Sequence, residues 1–163
     1  MLKFKDTFIS RKRRPALTKD TTIRTVEKFM NSQDMLMLRI KKGVFDDGAK
    51  NLDQILVPFE QFIEFLKSPE NNLLNLLGSI TYNNILAYAE EGLSKCQRIY
   101  DTFFVVSSGL FGKKIKFIEP SQVDLEKAKS YYKDLTTIND KMNEYLKIGL
   151  QRLHSLDVDK FQG

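Results

Sequence analysis

The sequence holds little of what makes covalent or coordinate structure. Its 163 residues include one cysteine, Cys96, and one histidine, His154. A lone cysteine excludes an internal disulfide framework and fits a reducing compartment. One His and one Cys leave only carboxylates as metal ligands, and no compact carboxylate cluster occurs along the chain. Eight Gly and four Pro are too few for the many turns of a sandwich or barrel. No apolar run reaches the roughly 18–20 residues of a membrane-spanning helix. Leu2, Phe4 and Phe8 are interrupted by Lys3, Lys5 and Asp6, so the N-terminus lacks a signal-peptide core. The expected location is intracellular, either cytoplasmic or within a virion.

What is present points to a folded helical chain. Hydrophobic residues make up 42% of the sequence and twelve are Phe, richer in both than a disordered chain. The length suits one domain with a real core. The net charge of +5 is concentrated at one end. Residues 1–19 set Lys3, Lys5, Arg11, Lys12, Arg13, Arg14 and Lys19 against Asp6 alone, which makes a basic arm of +6 on a body of −1. Two segments follow: the arm, 1–19, and a helical domain, 20–163.

In the arm, Arg11, Lys12, Arg13 and Arg14 form the densest charge run, and Pro15 discourages a helix from running through it. The run suits nucleic-acid phosphates or an anionic membrane surface, and a solvated tail without a ligand is the plain alternative. Phe4 and Phe8 with their apolar neighbours favour docking on a partner protein, because large apolar groups are wasted on phosphate. The membrane surface is the weaker reading.

Apolar spacing places four helices. The first spans about Thr22–Lys42, with Asp20, Thr21 or Thr22 as cap and Gly43 as stop. Met30, Met35 and Met37 on it read as core or as an adaptable surface. Asp46, Asp47 and Gly48 suit a turn and lack the further ligands of an EF-hand. The second helix covers roughly Leu52–Lys67, and Pro58 demands a kink or a restart there. Phe65 falls off its stripe and marks a contact with another chain, or a tolerated exposed ring. A central helix of about 35 residues, from Asn72 to Val106, would be about 50 Å long. Its leucine-rich start, Leu73 to Leu77, suits burial between several helices or subunits. The last helix, about Gln122–His154, opens at Ser121 and Asp124. The two long helices are expected to pair antiparallel. Between them, residues 102–118 make either a short hairpin or an apolar-basic loop. Lys113, Lys114 and Lys116 there, beside Phe111 and Phe117, have a single-strand-binding reading.

The expected fold is therefore all-α: an antiparallel bundle of about four helices with two long C-terminal ones and, at 102–118, the hairpin as an addition. No spacing makes a catalytic constellation. Glu90 and Glu91 diverge on a helix, Cys96 lies on an apolar stripe, and Gly109 and Gly112 lack a phosphate-loop context. The expectation is a non-enzymatic interaction or assembly subunit, of the kind found in a phage particle or secretion apparatus, with no cofactor and no small-molecule substrate. A protein partner or second copy is favoured. The alternative is a nucleic-acid-associated protein that uses the arm. The contact residues expected are Phe4, Phe8, Arg11, Lys12, Arg13, Arg14, Lys113, Lys114 and Lys116.

Overall fold

The computed structural model describes residues 18–161. The arm residues Phe4, Phe8 and Arg11 through Arg14 lie outside them. Among the described residues there are five α-helices and one two-stranded sheet: α1 (Lys19–Phe45), α2 (Val57–Lys67), α3 (Leu73–Leu77), α4 (Ser79–Phe103), β1 (Phe104–Gly109), β2 (Gly112–Phe117) and α5 (Gln122–Ser155).

The last helix is the spine. At 34 residues α5 is about 51 Å long, and α1 and α4 both lie antiparallel along it. On the α4 side, Arg98 and Lys95 each sit 5.6 Å from the Tyr131 ring. Lys95 also pairs with Asp134 at 3.4 Å, and Tyr88 stacks on Tyr145. On the α1 side, Phe45 meets Tyr132 edge-on, Gln33 bonds Asn139, and Lys19 reaches the far end of α5. In both series the numbers rise on one helix as they fall on the other. The expected pairing of the two long helices is thus observed.

Helix ends follow local chemistry. Thr18, rather than the later Asp20, Thr21 or Thr22, caps α1, its Oγ1 accepting the Thr21 amide at 3.2 Å. Ser121 Oγ accepts the Asp124 amide at 3.1 Å and opens α5 as expected. The end of α1 differs from expectation, because Gly43 lies inside it: a Cβ there would come within 2.7 Å of the Leu52 side chain. Its smallness serves a close approach, and the helix runs on to Phe45. A 3₁₀ turn, Ala49–Leu52, precedes α2, which starts at Val57 with Pro58 in its first turn. The expected helix from Leu52 therefore begins at the proline.

The single central helix of 35 residues does not form. Asn72 has φ 55° and Gly78 φ 86°, left-handed values that interrupt the helical ladder. The leucine-rich stretch becomes the five-residue α3, and Phe104 through Val106 join a strand instead of extending α4. Arg152 Nε donates to the Leu76 carbonyl at 2.8 Å, satisfying one acceptor that the break frees. Leu73, Leu76 and Leu77 are buried within this one chain, while Leu74 is half exposed.

The core is one aromatic-rich cluster. Phe29 stacks on Phe62 with centroids 3.7 Å apart and meets Phe59 edge-on at 5.8 Å, joining α1 to α2. Phe65 stacks on Phe62 and is half buried, so it is a packing residue and not an outward one. Met30 and Met37 pack against the core, and Met35 is exposed. One polar pair crosses the α1–α5 interface: Gln33 Nε2 donates to Asn139 Oδ1, with Gln33 fully buried and its Oε1 left without a partner.

Candidate functional site

The β-hairpin forms because β-branched and aromatic residues meet a glycine-bounded turn. Phe104, Val105 and Val106 favour extended backbone, and Gly109 pairs with Gly112 across a two-residue turn of Leu110 and Phe111. Gly112 takes φ 104°, which a side chain would strain, and so lets the turn return in register with the strand twist. Of the two readings for 102–118, the hairpin is the one observed.

Its base is welded to the bundle. Phe104 stacks on Tyr100 at 4.8 Å, Phe117 packs against both Phe103 and Phe104, and the Ile118 amide donates to the Phe103 carbonyl at 2.7 Å. Lys50 lies 5.7 Å from the Phe117 ring. Beyond that base no other described residue packs over the strands. Leu110 and Phe111 are 99% and 96% exposed, and Val105, Val106 and Ile115 are about half exposed.

Directly paired residues share a face, so the register sorts the side chains. Phe104–Phe117 and Val106–Ile115 lie on one face, and the apolar surface of the core continues outward along it. Val105–Lys116 and Ser107–Lys114 occupy the other. Lys113 pairs with Ser108 beside the tip. Lys113, Lys114 and Lys116 are all exposed, and none makes an ion pair among the described residues. No acidic residue occurs between Thr102 and Ile118, while residues 18–161 as a whole balance twenty Lys and Arg with twenty Asp and Glu. The hairpin is a local excess of positive charge on a neutral body.

Of the contact residues expected, Lys113, Lys114 and Lys116 lie on the hairpin, while Phe4, Phe8 and Arg11 through Arg14 lie outside the described residues. The hairpin leaves the end of the bundle where α1 finishes and α5 begins. The arm joins at Thr18, at the other end of α1, and 27 residues of helix put about 40 Å between the two ends. Lys19, counted with the arm by charge, is committed to the fold: its Nζ donates to the His154 and Leu156 carbonyls at 2.8 and 2.9 Å and caps α5. Sequence reasoning missed Leu110 and Val106 as surface features and did not place Ile115 on a face with Val106, since only strand register reveals a shared face.

The titratable groups elsewhere are spent on structure. Burial pushes the Cys96 thiol up to about 12, which leaves it unreactive near neutrality. His154 is exposed and lies some twenty residues of α5 beyond the level of Cys96, so the two do not meet. Burial, with Glu90 nearby, also raises Tyr82, whose hydroxyl donates to the Leu66 carbonyl at 2.9 Å. An open groove of about 670 Å³ runs between α2 and α4, lined by Ile63, Lys67, Glu90, Gln97, Arg98 and Asp101 among others. Its polar groups engage one another: Lys67 pairs with Glu90, and Gln97 donates to Asp101. Among the described residues no three His, Cys, Asp or Glu side chains converge on a common point, and no helix is long and apolar enough to cross a membrane.

Comparison with known protein families, curated proteins and solved structures finds no match.

Proposed function

We propose that the chain is a non-enzymatic helical interaction protein, a subunit of a larger assembly of the kind found in a phage particle or secretion apparatus. One observation carries this reading: the hairpin holds Leu110 and Phe111 almost wholly in solvent. Side chains of this size gain about 1.5–3 kcal/mol each on full burial, and neither contributes that gain to the fold of the monomer. Such a surface suits contact outside the chain. The basic arm, attached at the opposite end, supplies a second contact point, so the bundle acts as a rod that joins two things.

A nucleic-acid-associated protein is the second reading, favoured by the three unpaired lysines beside Phe111. The apolar Leu110, Val106 and Ile115 weigh against it, because phosphates and sugars offer them no apolar counterpart. Light scattering of the full chain at low and high salt, with and without nucleic acid, tests the two. A defined oligomer that persists at high salt, with an absorbance ratio free of nucleic acid, supports an assembly subunit. A monomer that captures nucleic acid at low salt and releases it at high salt overturns that reading in favour of the second.

A further inference from the structure

We infer that the β1–β2 hairpin is a membrane-contact element that inserts its Leu110–Phe111 tip into an anionic lipid surface. The inference rests on the reading of the hairpin as a contact surface and names what that surface meets. Three features converge. The tip presents two adjacent apolar side chains at 99% and 96% exposure, with the half-exposed Val106 and Ile115 behind them on one face. Lys113 and Lys114 follow Phe111 by two and three positions, which at about 3.4 Å per residue sets them some 7–10 Å behind the tip. Interfacial elements bury about 5–10 Å into the boundary of headgroups and acyl chains, so the lysines would stand at the level of the phosphates. The hairpin also has no acidic residue and no ion pair among the described residues, while the rest of residues 18–161 sets 17 Lys and Arg against 20 Asp and Glu.

An anionic bilayer satisfies both demands, an apolar phase for the tip and negative charge for its flanks. A second copy of this hairpin would set lysines against lysines. Nucleic acid would leave Leu110, Val106 and Ile115 without an apolar counterpart, and Phe111 is the one exposed ring on the hairpin for stacking on a base.

The test uses the full chain with Phe111→Trp, which introduces the sole tryptophan. Vesicles of phosphatidylcholine alone, and with about 30% phosphatidylserine, are the probes. Emission is expected to shift to the blue on anionic vesicles and to be quenched by brominated acyl chains, and to stay unchanged with neutral vesicles or with DNA. The pair Leu110→Ser and Phe111→Ser should weaken partitioning into anionic vesicles at least tenfold. Circular dichroism should be unaltered, since both side chains lie outside the core. Reversing Lys113, Lys114 and Lys116 to Glu should abolish the blue shift of the tip tryptophan on anionic vesicles. A chain that floats with anionic vesicles while its tryptophan emission stays unmoved would show the arm binding instead, and would overturn the inference. So would a serine pair that binds as well as the parent, or an emission shift caused by DNA or by self-association without lipid. These last two leave the contact-surface reading standing, which separates its failure from that of the lipid assignment.

Discussion

Gly92→Ala should destabilise the protein although alanine is the better helix former. Gly92 is buried in α4 against α2, and an added Cβ would stand 2.6 Å from Cε1 and 2.9 Å from Cζ of Phe59. Ordinary carbon contacts lie near 3.5–4.0 Å, so the ring must retreat by about 1 Å. It has nowhere to go: Phe59 is fully buried and meets Phe29 edge-on, and Phe29 is itself stacked on Phe62. Overpacking of this kind costs about 1–3 kcal/mol, and the helix-interior exchange of Gly for Ala returns about 0.5–1 kcal/mol. With a ring that cannot move, the overpacking cost lies in the upper part of its range, about 2–3 kcal/mol. The expected net loss is therefore about 1–2.5 kcal/mol, which lowers the melting temperature by about 2–10 °C at this chain length. Urea unfolding followed by circular dichroism at the helical band measures it. The cause is checked in a Phe59→Leu background, where the smaller side chain makes room and Gly92→Ala should become neutral or stabilising. A Gly92→Ala protein as stable as the parent would refute the reasoning, and so would a penalty that survives the loss of the ring.

Two further outcomes follow from buried groups. Gln33→Leu alone leaves Asn139 without its partner and should cost about 1–3 kcal/mol in urea unfolding. Adding Asn139→Leu should recover most of that loss, and a single variant as stable as the parent would show that the bond is immaterial. Burial raises the Cys96 thiol from its ordinary 9.0 to about 12. Above about pH 9 the unfolded thiol ionises while the folded one stays neutral. The stability from burying it is therefore complete below about pH 9 and is lost as the pH climbs towards 12. Tyr82 and Tyr100, both raised chiefly by burial, act in the same direction. Urea midpoints should hold up to about pH 9 and fall above it, and Cys96→Ala should flatten part of that fall. Rapid labelling of the native thiol at pH 8 would contradict its burial.

Helix content, the antiparallel pairing of α4 with α5 and the cap at Ser121 were all legible in the sequence. Each depends on local spacing: apolar residues three and four apart make a stripe wherever they occur, and a serine before a helix finds the amide that donates to its hydroxyl three residues away. A helix restart at Pro58, one residue into α2, was legible for the same reason, because a proline's missing N–H acts within one turn. The break at Gly78 was not. A glycine inside an apolar helical pattern is compatible with a continuous helix, and only the packing of α3 against its neighbours, with Arg152 holding the Leu76 carbonyl, selects the left-handed backbone there. The role of Lys19 was hidden too, since its charge placed it in the arm while its partners are carbonyls more than 130 residues away.

The candidate site divides in the same way. Composition alone located the cations at 113, 114 and 116 and the bulky residues among them. It did not decide which side chains share a face, or that the tip stands clear of the body, because both depend on the strand register and on Phe104 and Phe117 closing the base. Nor did it decide that hairpin and arm attach at opposite ends of α1. Charge is a property of residues and is additive along a chain. Whether two charged segments attach at one end of the bundle or at opposite ends depends on where the helices between them carry the backbone, which is settled by the burial of their apolar faces against one another.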